Sequence, residues 1–365
     1  MHHRIPIYKP YIPESSIKYA IDAINSTWIS SIGKYIDLAA AELSNITGCE
    51  YVILTNNGTS ATHLVAKSLK KFRPEVKRVL VPSACYVAPY NCLLYDKNNW
   101  EIKCIDLDED TWNMKLNEDV RPDDAILAVH NLGNIINVPS LQKKYNLPII
   151  EDNCEGFFGK YEEAHSGTKS LCSSLSFFGN KNITCGEGGA FMTNDKDVYE
   201  YALKIKGQGQ TSERYIHDEL GYNYRMTNIQ AALLLGQLEE FEGIFANKRR
   251  VFRRYKKHLK NNQNIDLQKS APGTTHSMWM FGLRFIGLKS YKTARKYFDK
   301  LGIETRPMFY SYKKHAHINF SGEDEVATTL NNEIVIFPSY PELKDEEIDY
   351  ICDKILKFEK ERGPA

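Results

Sequence analysis

Apolar residues at Ile17, Ala20, Ile21 and Ile24 recur at the spacing of one helix face, so the early chain is predicted to be helical. The pattern then changes. Short apolar runs at 79–81, 102–105, 126–129, 148–150, 175–178 and 190–192 predict strands, with helical stretches between several of them. Strands alternating with helices argue for an α/β fold with a largely parallel sheet. Residues 227–259 predict a long helix with Ala231, Leu234, Leu235 and Leu238 on one side, long enough to link two domains.

A second region begins near Gly243. There 278–285 predicts a strand and 292–301 a helix. A further helix is predicted over 345–358, with Ile348, Ile351, Cys352 and Ile355 on one face. The polar stretch 261–275, holding Pro272-Gly273, is the best loop candidate. The expected division is a large domain over 1–242 and a smaller C-terminal α+β domain over 243–365, which suits a chain of 365 residues.

Composition narrows the class. Hydrophobic residues make up 42%, enough for sizeable cores, and the net charge of +1 gives no drive toward nucleic acid. No apolar run approaches the ~18–20 residues that span a bilayer, and no secretory h-region follows the start, so a cytoplasmic protein without a membrane partner is expected. The eight cysteines show no Cys-x-x-Cys spacing and read as reduced, mostly buried thiols.

Several features tempt and fail. The basic run Lys248-Arg249-Arg250, Arg253-Arg254, Lys256-Lys257 and Lys260 is interleaved with Val251, Phe252, Tyr255 and Leu259, so it reads as an amphipathic helix with a solvated face. Asp106-x-Asp108-x-Asp110 has Thr111 where a calcium loop needs glycine. His315-x-His317 lacks an identifiable third ligand, so no metal site is expected.

The chemistry concentrates in three places. In Ser174-Leu175-Ser176-Phe177-Phe178-Gly179-Asn180-Lys181-Asn182, one lysine follows an apolar run and precedes the glycine-rich Gly186-Glu187-Gly188-Gly189. A lysine held in such a dry cleft is suited to forming a Schiff base with a carbonyl. Asp152 closes the apolar run ending Ile149-Ile150-Glu151, where ligands of open α/β sheets bind. It suits the carboxylate that faces the ring nitrogen of pyridoxal phosphate, though taken alone it reads first as an ordinary helix N-cap. Asn56-Asn57-Gly58-Thr59-Ser60 opens a helical pattern whose first amides and dipole favour a phosphate. In this order the three fit one cofactor, pyridoxal 5′-phosphate.

With those motifs the chain resembles the DegT/DnrJ/EryC1/StrS aminotransferases over nearly its whole length. The resemblance runs from Ile5-Pro6-Ile7-Tyr8-Lys9-Pro10 through Trp28-Ile29-Ser30-Ser31-Ile32-Gly33-Lys34-Tyr35 and the lysine motif to Gly221-Tyr222-Asn223-Tyr224-Arg225-Met226. Its segments look closest to perosamine and viosamine synthases, which aminate C4 of nucleotide-linked 4-keto-6-deoxyhexoses.

The resemblance implies the type I aminotransferase fold, a UDP- or dTDP-linked keto-sugar giving viosamine, and glutamate as donor through the pyridoxamine 5′-phosphate form. GDP-perosamine formation or C3 amination are the alternatives. It implies that Lys181 links the cofactor and moves the proton, and that Asp152 holds the ring nitrogen. Gly58, Thr59 and Ser176 would contact the phosphate, Tyr86 would stack on the ring, and Glu155 would lie close to it. Asn223 would reach the phosphate from the second subunit of a homodimer with shared active sites. Trp28, Ser30, Arg225 and Tyr310 would face the substrate. The dehydratases of the family carry histidine at the lysine position, so Lys181 argues against that branch. An amino-acid aminotransferase of the same fold and a non-catalytic cofactor-binding sensor remain as rivals.

Overall fold

The structure, a computed structural model, describes residues 4–97, 99–116 and 119–363. Eight strands form the central sheet. Their order across it is Tyr51–Thr55, Gly189–Thr193, Ser173–Ser176, Ile149–Asp152, Asp124–Val129, Arg78–Pro82, Glu101–Ile105 and Ser321–Gly322. Gly189–Thr193 runs antiparallel to both neighbours and the other pairings are parallel. This is the largely parallel sheet expected.

Its central strands are buried on both faces, which is why they read as unbroken apolar runs. Two of them begin with a charge. Arg78 and Asp124 are both buried and satisfy one another with two hydrogen bonds of 2.7 and 2.8 Å.

Helices cover the sheet. Gly58–Phe72 buries Leu64, Val65 and Leu69 against it, and the Asn57 side chain caps its start by accepting from Ser60 N at 2.8 Å. A second, antiparallel sheet of Ile265–Leu267, Phe281–Phe285, Ile334–Phe337 and Arg306–Pro307 packs against helices Phe241–Leu259, Tyr291–Lys300 and Asp345–Arg362 around its own apolar cluster. The short strand Ser321–Gly322 crosses back to the edge of the large sheet beside Glu101–Ile105.

Three expectations shift. The long helix over 227–259 is two helices, Asn228–Glu239 and Phe241–Leu259, because Glu240 sits at φ −98°, ψ 10° and opens the turn. The strand expected at 278–285 begins only at Phe281, since Met278 takes a left-handed conformation at φ 60° that interrupts pleating. The run 175–178 is displaced: the strand is Ser173–Ser176, and the chain then turns away toward Lys181. On helix Glu14–Asn25 the stripe Ile17, Ile21 and Ile24 faces solvent, Ile21 being 52% exposed. The face buried against helix Asn228–Glu239 is small, with Ser16 and Ala23, because Gly236 brings the two backbones into close approach.

The basic helix keeps its solvated face only in part. Arg250 and Arg254 pair with Asp345 and Asp349 of the last helix, and Lys248 is fully buried. All eight thiols are free, and Cys154 is the partly exposed one. Among the described residues, no helix is long and apolar enough to cross a membrane.

Candidate active site

A cavity of about 630 Å³ opens outside the carboxyl ends of the parallel strands. Strand Ile149–Asp152 delivers Asp152 to it, strand Ser173–Ser176 delivers Ser176, and the start of helix Gly58–Phe72 delivers Gly58 and Thr59. Tyr86, Glu155, Lys181 and Tyr310 complete the predicted residues along its lining.

Asp152 is not a helix cap. No helix follows it, and its Oδ1 accepts from Cys154 N at 3.0 Å while its Oδ2 accepts weakly from Thr62 Oγ1 at 3.4 Å. Thr62 is in turn 2.9 Å from Ser174 Oγ, so the carboxylate is aimed by the helix and the neighbouring strand together. A buried, oriented carboxylate with unused lone pairs suits a protonated ring nitrogen.

Lys181 stands on the turn after Phe177-Phe178, with its own N–H donating to Phe178 O at 2.9 Å. Its carbonyl accepts from the Tyr8 hydroxyl at 2.9 Å. The side chain is 13% exposed, with Nζ 4.0 Å from the ring centre of Trp279 and 4.0 Å from Glu155 Oε1. Glu155 accepts from Leu132 N at 2.8 Å. Burial raises its pKa to about 7, partly opposed by the nearby Lys181 and reinforced by Asp152.

At the cup, glycine is required at 58. A Cβ there would lie 2.7 Å from Ser176 Cβ and 2.9 Å from its Oγ, so the absent side chain lets Ser176 close against the helix start. The first amides of this 15-residue helix face that space, a ready anion site. Tyr86 is 58% exposed, so it is not core packing; its ring meets Phe309 edge-on at 6.3 Å. Among the described residues, the buried Oδ1 of Asn180, on the same lining, has no hydrogen-bond partner. This set of an anion cup, an oriented carboxylate, a shielded amine and an exposed aromatic face fits a phosphorylated pyridine aldehyde.

Four predicted residues stand apart from this lining. Trp28 and Ser30 lie in the exposed loop before helix Lys34–Thr47, their carbonyls accepting from Asn228 Nδ2 at 2.7 Å and Asn228 N at 2.6 Å. Asn223 is exposed and bridges to Gly207, and Arg225 bridges to Thr55, just before the cup. Sequence reasoning missed Trp279, Tyr8, Phe309 and Arg306. Trp279 was absorbed into a predicted strand, and nothing local in the sequence marks its closeness to Lys181.

The model of the DegT/DnrJ/EryC1/StrS aminotransferase family matches residues 10–356. A GDP-perosamine synthase of Escherichia coli O157:H7 is 35% identical over 97% of this chain and 98% of its own. One from Caulobacter vibrioides is 33% identical over 97% and 98%. Among solved structures, the E. coli GDP-4-keto-6-deoxy-D-mannose-3-dehydratase with bound hydrated PLP superposes at a TM-score of 0.90, with 21% identity over 97% of this chain and all of the other.

Proposed function

The chain belongs to the DegT/DnrJ/EryC1/StrS aminotransferase family, and from that premise we propose that it transfers an amino group from glutamate to C4 of a GDP-linked 4-keto-6-deoxyhexose, giving a perosamine. It is a pyridoxal 5′-phosphate-dependent sugar aminotransferase. The gathering of Lys181, Asp152 and the Gly58–Thr59 cup on one cavity is the observation that carries this reading. The GDP-linked sugar comes first because two synthases of that kind share a third or more of this sequence over its length. The UDP- or dTDP-linked sugar suggested by the sequence motifs stands second.

When bound, the cofactor supplies an aldehyde carbon that carries the amino group and a ring that withdraws electrons. The chain's residues do the rest. Lys181 Nζ would hold the cofactor at that carbon, and as a free amine it would move the proton at the sugar carbon. Asp152 would accept a hydrogen bond from the ring-nitrogen N–H and keep it protonated, a charge-assisted bond contributing roughly 1.5–3 kcal/mol. The amides of Gly58 and Thr59, with the Ser176 hydroxyl, bind the phosphate. Tyr86, whose exposed ring lines the cavity, would stack on the cofactor ring and exclude water. Tyr310 and Arg306, at the mouth, face the incoming sugar nucleotide. Lys181, where the family's dehydratases have histidine, favours amination over dehydration.

The working unit is a homodimer. In support, Ile17, Ile21, Ile24, Trp28, Ile29 and Ile32 are exposed apolar side chains on and just after the first helix, which a second copy would cover. Asn223, exposed beside Gly207, then reaches the neighbouring phosphate cup, with Trp28, Ser30 and Arg225 on the same shared boundary. Within each subunit we place the division between a large and a small domain near residue 243. We assign the protein to the cytoplasm, where its eight thiols stay reduced.

The test is selectivity among nucleotides. With glutamate in excess, GDP-, UDP- and dTDP-linked 4-keto-6-deoxyhexoses are offered in competition, and the aminated products are separated. Predominant GDP-linked product supports the proposal; predominant UDP- or dTDP-linked product transfers it to the viosamine reading.

A further inference from the structure

Lys248 departs from the charge pattern of its helix. It lies on Phe241–Leu259, yet it is 0% exposed. Its Nζ donates to the carbonyl of Trp279 at 2.8 Å and to that of Ser339, and among the described residues it has no carboxylate within ion-pair reach. Burial holds its pKa well below the ordinary lysine range. The two carbonyls replace part of the hydration that the buried amine gives up and tie it to two specific points of the chain, which an apolar side chain of the same size would not do.

The groups it touches lead to the reactive amine. Trp279 follows Met278, whose backbone is left-handed at φ 60°. Lys248 adds a hydrogen bond at the Trp279 carbonyl to the contacts that hold this segment. The Trp279 indole N–H donates to Asn180 O at 2.7 Å, and its ring centre lies 4.0 Å from Lys181 Nζ. On the other side, Lys248 Nζ is 5.3 Å from the ring centre of Tyr8, whose hydroxyl donates to Lys181 O at 2.9 Å. Two arms leave one buried amine and meet on adjacent carbonyls, those of Asn180 and Lys181.

We propose that Lys248 is a positioning residue for Lys181, fixing through Trp279 and Tyr8 where the Lys181 amine stands in the cavity. The proposal rests on the reading that Lys181 is the amine that links the cofactor.

The test follows Lys181 in cofactor-free protein. Pyridoxal 5′-phosphate is added, and borohydride is introduced at timed intervals. The Lys181 amine adds to the aldehyde carbon, water leaves, and hydride from borohydride reduces the C=N bond to a secondary amine that peptide mass spectrometry locates. Lys248→Met keeps length and apolar stem and removes the donor; capture of Lys181 is expected to slow by ~10-fold or more. Trp279→Phe is expected to slow it similarly, and the double variant no further than the slower single one. A structural role alone would lower the melting temperature and leave capture unchanged, and that result overturns the proposal. So do independent, multiplying effects in the double variant. If Lys248→Met does not fold, Trp279→Phe and Tyr8→Phe decide: capture at the wild-type rate in both overturns it. Failure of wild-type protein to label Lys181 defeats the reading of Lys181 itself, which keeps the two failures distinct.

Discussion

Lys181 Nζ and Glu155 Oε1 stand 4.0 Å apart within the cavity, and Glu155 is a carboxyl whose pKa burial raises to about 7. Its ordinary value is 4.5, so the folded protein holds that proton more tightly than the unfolded chain does. The stability this contributes is fully present below about pH 4.5 and is lost as pH rises through about 7. Glu155→Gln keeps an acceptor for Leu132 N and cannot ionise. Relative to wild type, cofactor-free Glu155→Gln should therefore gain up to ~3 kcal/mol between pH 4.5 and pH 8. Denaturant titrations at the two pH values measure this, and a difference that stays flat with pH removes Glu155 as the titrating group.

Lys181→Ala should fold, because the side chain ends in the cavity and not in a packed core. It should lose both the visible absorbance of the linked cofactor and turnover. Absorption spectra and an amination assay check this together; retention of both would strip Lys181 of its role.

Gly58→Ala places a methyl 2.7 Å from Ser176 Cβ. Overpacking of this kind costs about 1–3 kcal/mol, here at the wall of the anion cup. Cofactor affinity should fall by ~10-fold or more, read by fluorescence titration, with a smaller effect on the affinity for pyridoxal lacking the phosphate. Equal losses for the two ligands would place the phosphate elsewhere.

Asn223→Asp puts a negative charge on an exposed residue outside its own subunit's cavity lining. If the proposed homodimer brings this residue to the neighbouring cup, weakened cofactor binding is the expected result, since like charges then meet at the phosphate. Affinity equal to wild type would remove Asn223 from the site.

The sequence was most legible where physics is local. The central strands are buried on both faces, so 79–81 and 126–129 announce themselves as apolar runs. Gly58, Asp152 and Lys181 each sit at a chain feature that has a chemical meaning, namely a helix start, a strand end and a turn. What stayed hidden depends on tertiary placement. Trp279 meets Lys181 across 98 residues of chain, and Lys248 looks like any cation of a basic helix until its carbonyl partners are seen. The stripe of Ile17, Ile21 and Ile24 carries a clear helical period, yet the period alone does not say whether its apolar face meets the protein's own core or another molecule. The break at Glu240 has no proline or glycine to signal it.

The most direct test of the account uses 15N-labelled glutamate with purified enzyme, pyridoxal 5′-phosphate and the GDP-linked 4-keto-6-deoxyhexose, with the product examined by NMR. The expected result is 15N bonded to C4 of the sugar in wild type and none with Lys181→Ala. Label at C3, or a deoxygenated sugar without nitrogen, would contradict it.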